Sequence, residues 1–284
     1  MSAILESWKA GLGLPDVLVI DGHVHVGAWP HAATFGSADE AVRKSVAFMD
    51  ANGVDAFCAV SGGYHHEGAN YRLGNDFLLE VWRRMPDRLV PFLCLNPNDA
   101  RDEILAELDR MYAAGVRCIK LINSYQENYP GDGPNLMAVY EYADSHRMLV
   151  FNHSWGTEEI LKISAEFPET DFIFGHYGPG CDDVLDAREN VYANIWNLGP
   201  LGWLDRGIAK LGAAKFMMGS DGFLNPMSVG IGPVVFAPVS DDDKRLMLGL
   251  TIARLLERVG ALPAPLGEKY LANRPDRVHP PELS

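Results

Sequence analysis

The chain has 284 residues, 48% of them hydrophobic, and a formal net charge of −14. That length and apolar content supply a large core, enough for one big α/β domain or two modest ones, while the acidic balance argues against a protein that tracks a nucleic-acid backbone. No apolar stretch approaches the roughly 20 residues of a membrane span, and "MSAILESWKAGLG" lacks the basic start and apolar block of a secretory signal, so a cytoplasmic protein with neither membrane nor nucleic-acid partner is expected.

In chain order, strands are predicted at "VLVID" (17–21), "VDAFCAV" (54–60), "LVPFLCL" (89–95), "GVRCIKLI" (115–122), "LVFNH" (149–153), "DFIFGH" (171–176), "VYANIWN" (191–197) and "AKFMMGSD" (214–221). Helix-sized segments such as "SADEAVRKSVAFMDANG", "NDFLLEVWRRMPDR" and "DARDEILAELDRMYAAG" separate them, with a last helix at roughly 241–259. Eight near-continuous apolar strands alternating with helices predict a single-domain α/β fold, a (β/α)8 TIM barrel, over 1–284. A Pro-rich tail at about 262–284 is expected to wrap a neighbouring subunit or lie loose, which leaves a homo-oligomer open. Cys58, Cys94, Cys118 and Cys181 stand singly, the first three in apolar runs, and read as reduced core residues.

The polar residues fall in a pattern. His23 and His25 are two positions apart and so project from one side of the first strand or its immediate extension. Lys120, His153, His176 and Asp221 each close a later apolar run. Buried strands rarely carry such groups unless they are paired or coordinated, and strand C-termini form the active face of this barrel. Imidazole nitrogens and a carboxylate suit a zinc-like divalent ion. Asp221 would then act as ligand and proton shuttle together.

These residues resemble the amidohydrolase superfamily: "DGHVHV" its first-strand HxH motif, "VFNHSWG" and "FIFGHYG" its strand-5 and strand-6 histidines, and "MGSDGF" its strand-8 aspartate. "MPDRLVPFLCLNP", "GVRCIKLI" and "ENVYANI" resemble its amidohydrolase-2 branch, which contains hydrolases, lactonases among them, and metal-dependent decarboxylases of aromatic or unsaturated acids. The resemblance implies one divalent ion, zinc with manganese or iron as alternatives, held by His23, His25, His153 and Asp221, with His176 assisting catalysis. Lys120 occupies the place where phosphotriesterase-like relatives carry a carboxylated lysine. If it were carboxylated it would help hold a second ion with His153 and His176, and if unmodified it would bind a substrate anion or pair with a nearby carboxylate.

Trp155 and Tyr177, which follow the strand-5 and strand-6 histidines, are candidate pocket walls, and His65 and His66 lie in a loop that could reach substrate. Trp196 faces either the mouth or the helices. The expected activity is hydrolysis of an ester, lactone or amide of a small molecule by metal-bound hydroxide. The alternatives are decarboxylation of an aromatic or unsaturated acid and, further off, a non-catalytic metal-binding barrel.

Overall fold

The computed structural model describes residues 2–27, 35–61, 70–153, 155–196 and 202–274. Eight parallel strands run in sequence order around one sheet: β1 (Ile20–Val26), β2 (Ala56–Ser61), β3 (Leu89–Cys94), β4 (Cys118–Leu121), β5 (Leu149–Asn152), β6 (Phe172–Phe174), β7 (Val191–Asn194) and β8 (Phe216–Met217). Helices fill the crossovers: α1 (Ala3–Lys9) leads, then α2 (Ala38–Asn52), α3 (Tyr71–Arg84), α4 (Arg101–Ala113), α5 (Pro134–His146), α6 (Thr157–Glu166), α7 (Asp182–Ala187) and α8 (Trp203–Leu211). After β8 come α9 (Ser228–Phe236) and α10 (Asp241–Arg245), continuous through a π-helical turn (Leu246–Leu250) with α11 (Thr251–Arg258), and finally α12 (Leu266–Asn273). The expected (β/α)8 barrel is the fold.

Local chemistry explains the helix limits. Ser37 accepts from the Glu40 amide at the start of α2, and Gly53, at φ 66°, turns the chain out of it. Asn70 caps α3 in the same way through the Leu73 amide.

Two apolar layers follow from the alternation of each strand. Val24, Phe57, Leu93, Ile119 and Phe172 pack outward against helices, whereas Ile20, Cys58, Phe92, Cys118, Phe151 and Met217 fill the barrel interior. Leu255, Leu256, Leu266 and Tyr270 join the interior layer from α11 and α12. The latter helix corrects the expectation for the tail. Residues 262–274 fold against their own barrel, with Lys269 paired to Asp55 at 2.8 Å and Asn273 accepting from the Leu18 amide. Residues 275–284 lie outside the described part.

The first strand also differs from its predicted span. It begins at Ile20, where β2 becomes available as a partner, and runs through both histidines to Val26. Asp21 aligns with Phe57 but Val24 with Ala59, so β1 carries one extra residue between them, a β-bulge. The bulge reverses the facing pattern. Leu18 and Ile20 point inward before it, and Val24 and Val26 outward after it, which turns His23 and His25 to the interior.

The barrel closes between β8 and β1 with few ladder bonds. The Gly22 amide donates to Met218 O at 3.0 Å, the Asp221 amide to His23 O at 2.9 Å, and the His25 amide to Gly222 O at 3.1 Å. A Cβ on Gly22 would stand 2.8 Å from both Asn194 Nδ2 and Met218 O, so only glycine fits at this crossing.

Candidate metal centre

The bulge and the closure bring the first and last strands' polar residues together. The Asp221 carboxylate lies 3.3 Å from His23 Nε2 and 2.9 Å from His25 Nε2. One donor atom from each of the three side chains falls within 4.8 Å of the other two, the one such group among the described residues. The imidazoles are buried at 3% and 5% exposure, while Asp221 retains 13%. Asp221 takes the left-handed backbone conformation at φ 61°, which costs a non-glycine residue about 1–3 kcal/mol and persists only where its surroundings impose it.

The electrostatics suit ligation. Burial lowers the pKa of His23 well below the usual imidazole range, and the positive charge of Lys120 adds to this. Burial lowers His25 too, against the opposing pull of Asp221. For Asp221, burial alone would raise the pKa, but hydrogen bonds from both imidazoles outweigh it and hold the carboxylate far below its ordinary range. Neutral imidazoles beside an anionic carboxylate form a donor set that fits a first-row divalent ion.

His153 and His176 sit beside this group. Their rings are 5.1 Å apart between centroids, and His176 lies 4.4 Å from Trp196, which is also 4.4 Å from His23. Trp196, open in direction from the sequence, is therefore an interior residue that touches both sides of the cluster. His153, expected as a fourth ligand, stands outside the three-residue group and faces His176 and Tyr125, the latter 5.4 Å away between ring centroids. His176 is exposed, with a left-handed φ of 55°. Gly175 before it is obligatory, because a Cβ there would meet Trp196 at 2.3 Å and the His153 Cβ at 2.4 Å.

Lys120 is 1% exposed, and its ammonium lies 3.7 Å from the Phe151 ring centroid and 4.9 Å from that of Trp196. It has no hydrogen-bond partner among the described residues. Burial lowers its pKa to about 7, against the pull of Asp221.

Two expected pocket residues turn elsewhere. The Tyr177 hydroxyl donates to Asp182 at 2.8 Å, and its ring packs on Phe216 in the helical layer. The Trp155 indole donates to the Tyr140 hydroxyl at 3.0 Å and packs on Phe172. Neither lines the histidine cluster; both side chains belong to the outer apolar layer, and Tyr177 follows the left-handed turn at His176. Arg72 reaches toward Glu103 and Glu107, and Arg117 stacks 3.9 Å over Tyr112. His65 and His66 lie outside the described residues.

Asp21 and Ser220, which the spacing of the histidines and Asp221 does not single out, join the two segments behind the group. Asp21 is fully buried and accepts from the His23 amide at 3.1 Å, from the Ser220 amide at 3.0 Å and from the Ser220 hydroxyl. Burial raises its pKa to about 7, with the Ser220 hydroxyl pulling the other way. The available signal was an acid inside an apolar run, directly before a glycine.

Residues 20–258 match the family model described as amidohydrolase (Amidohydro_2), and the chain belongs to that family. Solved structures share the fold at low identity. The 5-carboxyvanillate decarboxylase of Sphingomonas paucimobilis superposes with a TM-score of 0.68 at 17% identity, over 85% of this chain and 99% of that one. A dihydroxybenzoic acid decarboxylase from Polaromonas sp. JS666, with bound manganese and 2-nitroresorcinol, gives 0.66 at 13% identity, over 87% and 98%. A probable 2-pyrone-4,6-dicarboxylic acid hydrolase from Acinetobacter baumannii gives 0.62 at 16% identity, over 84% and 99%. No curated protein matches by sequence. The chain is an enzyme of the amidohydrolase superfamily.

Proposed function

We propose that the protein is a metal-dependent hydrolase of a small ester, lactone or amide. The supporting observation is Asp221: an anionic carboxylate in contact with both imidazoles, yet still partly open at the mouth of the barrel. His23, His25 and Asp221 would hold one divalent ion, with His153 as a fourth ligand contributed from the end of β5. When bound, the ion supplies Lewis-acid polarisation of the carbonyl and makes a water a stronger acid. Asp221 takes the proton of the attacking water at its carboxylate and returns it to the leaving oxygen or nitrogen. His176, exposed beside His153, hydrogen-bonds the carbonyl or leaving group. Trp196 and Phe151 form an apolar floor that keeps bulk water from the buried imidazoles.

A second reading, decarboxylation of an aromatic or unsaturated acid, is favoured by Lys120. A buried ammonium over two rings and without a hydrogen-bonded acid offers a partner for a substrate carboxylate. Against it, Arg72, at the surface, pairs with Glu103 and Glu107 and Arg117 stacks over Tyr112, so neither of these two is held for a substrate carboxylate.

Elemental analysis of wild type and of a His23→Ala/His25→Ala variant tests the common part, with about one zinc, manganese or iron per chain expected in the former alone. Two per chain would instead indicate a carboxylated Lys120. Asp221→Asn should lower turnover by about 10²–10⁴-fold even when loaded with metal, and near-normal rates would remove the hydrolytic role. Release of CO2 without a hydrolysis product, in a screen of lactones, esters and aromatic acids, would select the second reading.

A further inference from the structure

We propose that Asp21 is a positioning residue for the metal-binding group: its carboxylate ties His23 on β1 to Ser220 beyond β8, and so sets where Asp221 faces the two imidazoles. This rests on the metal reading above.

The seam explains why such a tie is needed. The β8 ladder ends at Met217, four residues before Asp221. Asp221 then adopts a left-handed conformation that local preference opposes. Across this gap a single oxygen, Asp21 Oδ1, accepts from the amides of both His23 and Ser220, while Oδ2 accepts from the Ser220 hydroxyl. One carboxylate thus fixes a candidate ligand's own backbone on one side and the residue before another ligand on the other. The next residue, Gly22, crosses the seam so closely that a Cβ there would stand 2.8 Å from Met218 O. An acid that only filled space there would be worse than an apolar side chain of its size, since an ionisable group pays for desolvation that a hydrocarbon does not. Its three donors all belong to the two segments that carry the metal-binding group, as expected if it serves to hold that group in register.

The test compares wild type, Asp21→Asn, Ser220→Ala and the double variant. Dissociation constants for Mn2+ and Zn2+ are measured by competition with a chromogenic chelator, and thermal midpoints on the chelator-stripped proteins. Glu107→Gln, which disturbs a buried acid among Asn75 and Arg110 outside the metal-binding group, supplies a variant of lowered stability for comparison. Asp21→Asn should weaken binding about 10–100-fold and Ser220→Ala by a smaller factor in the same direction. The double variant should be no weaker than the worse single one, because both residues act through one network. Should Asp21→Asn fail to fold, Ser220→Ala decides alone. Unchanged affinity in both single variants overturns the proposal, whatever happens to the midpoints. Equal weakening in Glu107→Gln at a matched midpoint overturns it too, since the effect would then be general softening. Wild type that takes up neither ion overturns the metal reading itself.

Discussion

At the scale of single residues, Lys120 carries a cost that can be measured. Its folded pKa of about 7 lies below the ordinary 10.5, so between those values the unfolded chain binds the extra proton and the folded protein loses stability as pH falls. The penalty is complete below about pH 7 and absent above 10.5. In metal-free protein, Lys120→Met should therefore gain stability over wild type by on the order of a few kcal/mol at pH 7. That gain should shrink steadily toward pH 10.5, as read by urea denaturation at each pH. A pH-independent difference would mean that Lys120 titrates alike in the folded and unfolded chains and that the effect is packing alone. Burial is the main cause of the lowered pKa of His23, His25 and His176, and the charge of Lys120 adds to it at all three.

At the scale of elements, the β1 bulge decides which way the HxH pair points. Without the extra residue, the alternation set by Leu18 and Ile20 would have sent both histidines into the helical layer. The amino-acid pattern reveals that His23 and His25 share a side. It does not reveal which side, since the bulge depends on pairing with β2 and on closure against the chain beyond β8. The apolar runs marked the positions of all eight strands, whereas their limits were set by partners. β8 was expected over 214–221 but ladders only at Phe216–Met217, because residues beyond it cross to β1 by isolated hydrogen bonds. Likewise the direction of Tyr177 depends on the left-handed backbone of His176, which no periodicity encodes. Gly22→Ala should test the bulge. Its Cβ meets a backbone oxygen at 2.8 Å that cannot step aside, so a loss of roughly 1–3 kcal/mol and weaker metal binding are expected by denaturation and chelator competition. Gly232→Ala in α9, where nothing lies within 4 Å, should be neutral or slightly stabilising.

At the scale of the whole molecule, the barrel has a chemical end and a supporting end. The histidine cluster occupies the C-terminal ends of the strands, while α12 covers the N-terminal ends through Leu266, Tyr270 and the Lys269–Asp55 pair. A chain ending at residue 263 should lose several kcal/mol, since burying two apolar side chains contributes roughly 1.5–3 kcal/mol each. It should keep its metal affinity once folded at low temperature. Loss of affinity in step with stability would show that the two ends are coupled through the core. No helix among the described residues is long and apolar enough to cross a membrane.

The seam between β1 and β8 also has a consequence for synthesis. The bond between Asp21 and Ser220 joins residues 199 positions apart, and His23, His25 and Asp221 are divided between the same two ends of the chain. A ribosome-bound fragment emerging from its N-terminus presents both imidazoles long before the carboxylate exists. Until residue 221 has cleared the exit tunnel, the nascent chain displays half a chelate, and the complete set of donors belongs to the finished barrel alone. Long-range closure of this kind is slow compared with helix formation, and the group is complete only once that closure has joined residues 21 and 220.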